Sequence, residues 1–230
     1  MIPLRDANPT RRTPVVTLAI IALCGIAFAW QLGTLAQGGE EALSRLILAY
    51  GVVPAELAAA LAAGDVLSPA IGDVGTSMFL HGGWLHLGGN MLYLWIFGNN
   101  IEDRLGRPLF VLFYLVGGFA AALAQMAIDP ASTIPMIGAS GAISAALGAY
   151  LVLYPRARIQ SLVFLGFFYQ LIAVPAVLVL AFWFVLQLID GIGALSIAGG
   201  SSGGGVAFFA HIGGFVAGMV LALPFRVRGR

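Results

Sequence analysis

Of 230 residues, 60% are hydrophobic and only 9% are charged, and mean hydropathy is +0.97. A soluble domain carries about a quarter charged residues, so the composition indicates an integral membrane protein. A net charge of +1 with no basic stripe argues against a nucleic-acid partner. The single cysteine, Cys24, lies in an apolar run, has no intrachain partner, and reads as a small buried hydrophobe.

In chain order, residues 1–13 form a polar tail holding Arg5, Arg11 and Arg12. The apolar stretch 14–36 is too long for a signal-peptide core and lacks a clear cleavage pattern, so it is a retained first span. The connection 37–83 is the longest. Within it, 41–61 is amphipathic, with Leu43, Leu46, Leu48, Val52 and Val53 as its apolar positions, and is expected at the membrane interface. At roughly 20 apolar residues per crossing, further spans are expected near 84–101, 108–127, 140–154, 162–189 and 206–225.

Six spans place Arg5, Arg11, Arg12, Arg104, Arg107, Arg156, Arg158, Arg226, Arg228 and Arg230 on one side, leaving Arg45 on the other. Glu40, Glu41, Glu56, Asp65, Asp73, Asp129 and Asp190 fall opposite. The positive-inside pattern makes both termini cytoplasmic. The expected architecture is an all-α polytopic membrane protein. Its 1–13 tail leads into one transmembrane domain over 14–226, a six-helix bundle with a long outer loop between helices 1 and 2, and a 227–230 tail follows.

Polar groups inside spans are costly and either functional or packed against a partner helix. Pro135 precedes Gly138-Ala139-Ser140-Gly141, and Pro155 closes the helix beyond. From Ser140 to Tyr154 a helix reaches roughly 22 Å, against about 30 Å of hydrocarbon. With Arg156 and Arg158 at the inner surface, Ser140 sits some 8 Å below the outer boundary at a helix N-terminus. The irregular segment 129–137 must dip to meet it, which requires a water-filled or protein-lined cavity. There Ser140 is either an N-cap, with Gly138 and Gly141 allowing close helix packing, or a nucleophile beside free backbone N–H donors.

His211 tips the balance. Gly214 and Gly218 form a small-residue face one turn below it, and Ser140, Ser144 and Gly148 form another at spacing four. If the two faces meet, His211 lands beside Ser140 as its general base. His86 and Asn90, also four apart, share one face and offer donors suited to an oxyanion hole. A zinc site would need a third ligand, and the H-E-x-x-H pattern is absent; His81 is expected to be structural.

These residues together resemble the rhomboid family of intramembrane serine proteases. His81, His86 and Asn90 look like its H-x4-H-x3-N signature, followed by Phe97-Gly98 and an acidic-x-Arg turn at Glu102 and Arg104. Gly138-Ala139-Ser140-Gly141 resembles its nucleophile motif, and Ala210-His211 with Gly214 and Gly218 resembles its A-H-x-x-G-x-x-x-G. Trp183, Phe184 and Gln187 match its fifth-helix ending. The resemblance implies a serine endopeptidase with a Ser140–His211 dyad and an oxyanion hole of His86, Asn90 and the Ser140 N–H. It further implies transmembrane protein substrates cut near small residues, membrane lipids as surroundings, and no metal or organic cofactor. The 191–205 stretch would be a mobile loop over the site, and the fifth span, with Pro175 within it, would border a lateral substrate route. Location would be a bacterial inner membrane, the site opening to the outer side.

Two departures stand out. Gly72-Asp73 occupies the place of the family's Trp-Arg, so the first outer loop is expected to be anchored differently. Ser144 stands where well-known bacterial members carry a tyrosine stacked on the histidine, which predicts either a looser His211 or one hydrogen-bonded to Ser144, and in either case lower turnover. The alternative is a catalytically weak or inactive rhomboid-like protein that binds membrane clients. A transporter would show inverted repeats or midplane ionisable residues, and the sequence shows neither.

Overall fold

A computed structural model describes residues 2–165, 168–197 and 207–226. Helix α1 runs Val15–Tyr50 with a kink at Gly39 (φ 68°), a left-handed conformation that glycine adopts without strain. The expected 41–61 element is therefore two pieces. The second half of α1 ends before Gly51, and α2 (Pro54–Ala63) starts afresh because Pro54 fits only a first turn. Helix α3 follows at Pro69–Ser77. Then α4 (Trp84–Tyr93), a π-helical turn (Leu94–Gly98) and α5 (Asn99–Leu105) run on without a break. A turn at Gly106 (φ 81°) leads into α6, Arg107–Ile128, and the short α7 covers Ser140–Leu153. Helices α8 (Ala176–Ile197) and α9 (Phe208–Arg226) complete the bundle. Four of the described helices, α1, α6, α8 and α9, are long and apolar enough to cross a membrane.

Helices dominate, but the all-α expectation needs correcting. Strands β1 (Ile2–Asp6), β2 (Arg158–Leu165) and β3 (Phe168–Pro175) form an antiparallel sheet in the order β1-β2-β3. The expected fifth span, 162–189, is helical only from Ala176. Its first half is rich in β-branched and aromatic residues (Val163, Tyr169, Ile172, Val174), and the N-terminal strand gives β2 a second partner. Pro175 has no N–H, and its ring bars helix on its N-terminal side, so α8 begins just after it. At the other end α8 continues through 191–197, which were expected to belong to a loop; residues 198–205 of that loop, like Arg228 and Arg230, lie outside the described residues.

Helix α7 is buried along the whole of 142–150, so it shows no polar face. It can be enclosed because its neighbours meet it through backbone. A Cβ at Gly218 would collide with the Ala145 carbonyl, one at Gly214 with the Gly141 carbonyl, and one at Gly148 with the Phe215 carbonyl. The adjacent Gly213 faces Ala124 of α6 instead. Two neighbouring glycines thus seat α9 against two different helices.

The end of the bundle opposite Ser140 is fastened by side chains that cap distant helices. Pro14 gives α1 no capping side chain. Glu102 of α5 supplies one, accepting the Val16 N–H (2.9 Å), the Thr17 N–H (2.7 Å) and the Thr17 hydroxyl (2.8 Å). Two residues on, the Arg104 guanidinium donates to the Phe225 carbonyl in the last turn of α9 (2.7 Å).

Candidate active site

The chain enters α7 through the irregular segment 129–139. Part of its backbone pairs with the first connection. Val52 and Met136 exchange hydrogen bonds (3.0 and 2.7 Å), the Ala55 N–H donates to the Ser132 carbonyl (3.0 Å), and the Gly138 N–H donates to the Ser77 carbonyl (2.9 Å). The connection itself is held by the Thr76 hydroxyl, which donates to the Tyr50 carbonyl (2.8 Å). This is how a loop without the family's Trp-Arg is anchored.

Gly138, expected as a packing glycine, lies outside the helix and serves another purpose. Its φ of 128° disfavours any side chain, and a Cβ there would lie 2.7 Å from His86 Nε2 and 3.6 Å from Ser140 Oγ. The bare backbone lets the imidazole and the hydroxyl approach the same small space. Gly141 faces Ala121 of α6, where a Cβ would come within 2.6 Å.

His211 is placed by three helices. Gln125 of α6 caps the start of α9, its Oε1 accepting the Phe209 and Ala210 N–H groups (3.1 and 3.2 Å). Across the glycine contact, His211 Nε2 lies 2.7 Å from Ser140 Oγ. Its Nδ1 lies 2.6 Å from Gln187 Oε1 on α8, and the Trp183 ring is 6.0 Å away at an interplanar angle of 38°. The ring flanking His211 therefore comes from α8. Ser144 turns back within its own helix and donates to the Ser140 carbonyl (2.6 Å).

His86 Nδ1 accepts the Gly82 N–H (3.2 Å), so a neutral His86 carries its proton on Nε2, towards Gly138 and Ser140. Asn90, one turn along α4, is buried, and its Nδ2 has no partner among the described residues. Ser140 opens α7, so its N–H is one of the four without an intrahelical acceptor. His86 Nε2 and Ser140 Oγ thus approach the same space at Gly138, and Asn90 adds a buried donor one turn along α4. His81 is fully buried and bound through its backbone to Gln31 (2.9 and 3.1 Å). Burial, helped by the nearby His86 ring, pushes its imidazole down to about 4, leaving it neutral.

Beside Ser140 lies a cavity of ≈ 50 Å³, lined by Met78, Ala122, Met136, Gly138 and Ala210 among others. Among the described residues no three His, Cys, Asp or Glu side chains cluster as metal ligands would.

Sequence reasoning did not single out Gln125, gave no role to Trp183 or Gln187 beyond a motif match, and did not use Ser77. A signal was available for the two glutamines. Each is an amide set in a strongly apolar stretch, the same oddity that drew notice to Ser140 and His211.

A sequence model of the Rhomboid domain matches residues 71–228. The chain is 35% identical over 149 residues to Rhomboid protease GluP of Bacillus subtilis, covering 65% of this chain and 26% of that protein. It is 35% identical over 104 residues to Rhomboid protein 1, mitochondrial, of Saccharomyces cerevisiae (44% and 30%). It is 32% identical over 168 residues to RHOMBOID-like protein 4 of Arabidopsis thaliana (71% and 37%). The matches therefore cover between 26% and 37% of these relatives' own lengths.

Proposed function

The chain belongs to the rhomboid family, and from that premise we propose that it is an intramembrane serine endopeptidase acting through Ser140 and His211. The observation that carries this reading is the 2.7 Å contact between His211 Nε2 and Ser140 Oγ at a site with donors to spare. In the first step His211 Nε2 takes the hydroxyl proton as Oγ attacks the scissile carbonyl. The oxyanion is received by His86 Nε2–H, Asn90 Nδ2–H and the Ser140 N–H, all set before charge develops. His211 then returns the proton to the leaving amine, and a water repeats the sequence on the acyl-enzyme.

Six spans support this chemistry in our reading, with α4 through α5 and the short α7 joining the four long helices. Both termini face the cytoplasm of a bacterial inner membrane, and the first connection lies on the outer side with the site. Transmembrane proteins are the substrates.

The test is purified protein in detergent with a single-span reporter. Wild type is expected to cut it, and Ser140→Ala to abolish cutting. No cleavage by wild type would favour the client-binding alternative, and undiminished cleavage by Ser140→Ala would remove the serine mechanism.

A further inference from the structure

An imidazole next to a serine is a base only in one of its two neutral tautomers. If the proton sits on Nε2, the Ser140 hydroxyl faces a donor and has nowhere to send its own proton. What fixes the tautomer is the group on the other nitrogen. Here that group is Gln187 Oε1, 2.6 Å from Nδ1. A carboxamide oxygen only accepts, so this contact demands a proton on Nδ1 and leaves Nε2 bare toward Ser140, 2.7 Å away.

Gln187 sits on α8, one turn beyond Trp183, whose ring flanks the same imidazole and also lies 5.9 Å from Phe215 of α9. The two α8 side chains thus fix different freedoms of His211: the ring limits its tilt and the amide sets its proton. Ser144 supplies neither, since its hydroxyl is engaged with the Ser140 carbonyl.

We infer that Gln187 is a positioning residue that holds His211 in the one tautomer able to take the Ser140 proton. The inference rests on the Ser140–His211 reading. Being neutral, the amide orients the imidazole without the charge stabilisation that a carboxylate would add to the imidazolium. α8 becomes part of the catalytic geometry, so a displacement of α8 would remove this tautomer bias without touching Ser140.

The experiment uses the full chain in detergent, with 15N-labelled histidine and the reporter assay run on the same samples. His211 signals are assigned by their absence from His211→Ala. Wild type is expected to show a protonated Nδ1 and a bare Nε2. Gln187→Leu should give mixed tautomers and a kcat lower by about 10- to 100-fold with KM little changed. Gln187→Glu, which keeps an acceptor at the same place, should recover the tautomer and most of the rate. A Gln187→Leu protein with the wild-type tautomer or the wild-type rate would overturn the assignment. So would a loss that appears only as lower thermal stability. Should wild type fail to cut the reporter, the protease reading falls, while the tautomer spectrum still decides the role of Gln187.

Discussion

Around Asp6 and Glu102 the buried polar groups are paired, whereas around Ser140 donors are left over. Glu102 accepts three hydrogen bonds at the start of α1. Asp6 accepts from Asn100 Nδ2 (2.6 Å) and the Tyr150 hydroxyl (3.2 Å), and Asn8 Nδ2 donates to that same hydroxyl (2.7 Å). At the other end of α7, Asn90 Nδ2 is buried without a partner among the described residues. A buried orphan donor costs about 1–3 kcal/mol. One end of the bundle is thus arranged for stability, and the other leaves a buried donor that the proposed reaction would use. The tight glycine contacts between α7 and α9 hold the site together despite that cost.

Variants can break this contrast, and the largest effect is expected from His211→Ala. It should lower kcat by about 10⁴-fold or more while thermal unfolding changes little. Asn90→Leu should lower kcat by about 10²–10³-fold, with KM little affected and stability unchanged or raised, because an orphan donor has been removed. A parallel loss of stability would mean that Asn90 is a structural residue. Glu102→Gln should show the reverse pattern. Stability falls by about 1–3 kcal/mol, seen as a lower Tm in detergent, with turnover per folded molecule preserved.

Asp6→Asn should have the smallest effect, under about 1 kcal/mol at pH 7, since the amide keeps an acceptor for Asn100 and Tyr150. Its signature is in pH. Burial raises the Asp6 carboxyl above its ordinary value, against the hydrogen bonds from Tyr150, Asn8 and Asn100. The folded state therefore binds more protons than the unfolded one, and wild-type stability is greatest below the ordinary carboxylate range. It falls as pH rises through the raised value. Tm measured from pH 4 to 8 should decline through that range in wild type and be flatter in Asp6→Asn.

The membrane class and the bounds of α6, α7 and α9 were legible in the sequence because composition and punctuation by proline and glycine act locally. Pro155 marks the break expected of it, whereas Pro54 and Pro175 break stretches that were read as continuous, Pro175 separating strand from helix. The sheet was not legible. Its β1–β2 pairing joins residues near 2–6 to residues near 159–162, and no local pattern announces a partner that far away. At the site, residue type and depth drew attention to Ser140, His211, His86 and Asn90. What sequence left open was orientation, because Gln125 and Gln187 act across helices whose contacts follow from the glycine packing.

Central to this account is a serine made nucleophilic by one histidine. Labelling intact protein with a fluorophosphonate probe tests that directly. Ser140 should be the labelled residue in wild type and Glu102→Gln, with labelling lost in both Ser140→Ala and His211→Ala. Wild-type labelling that persists at full rate in His211→Ala, or a label on any other residue, would contradict it.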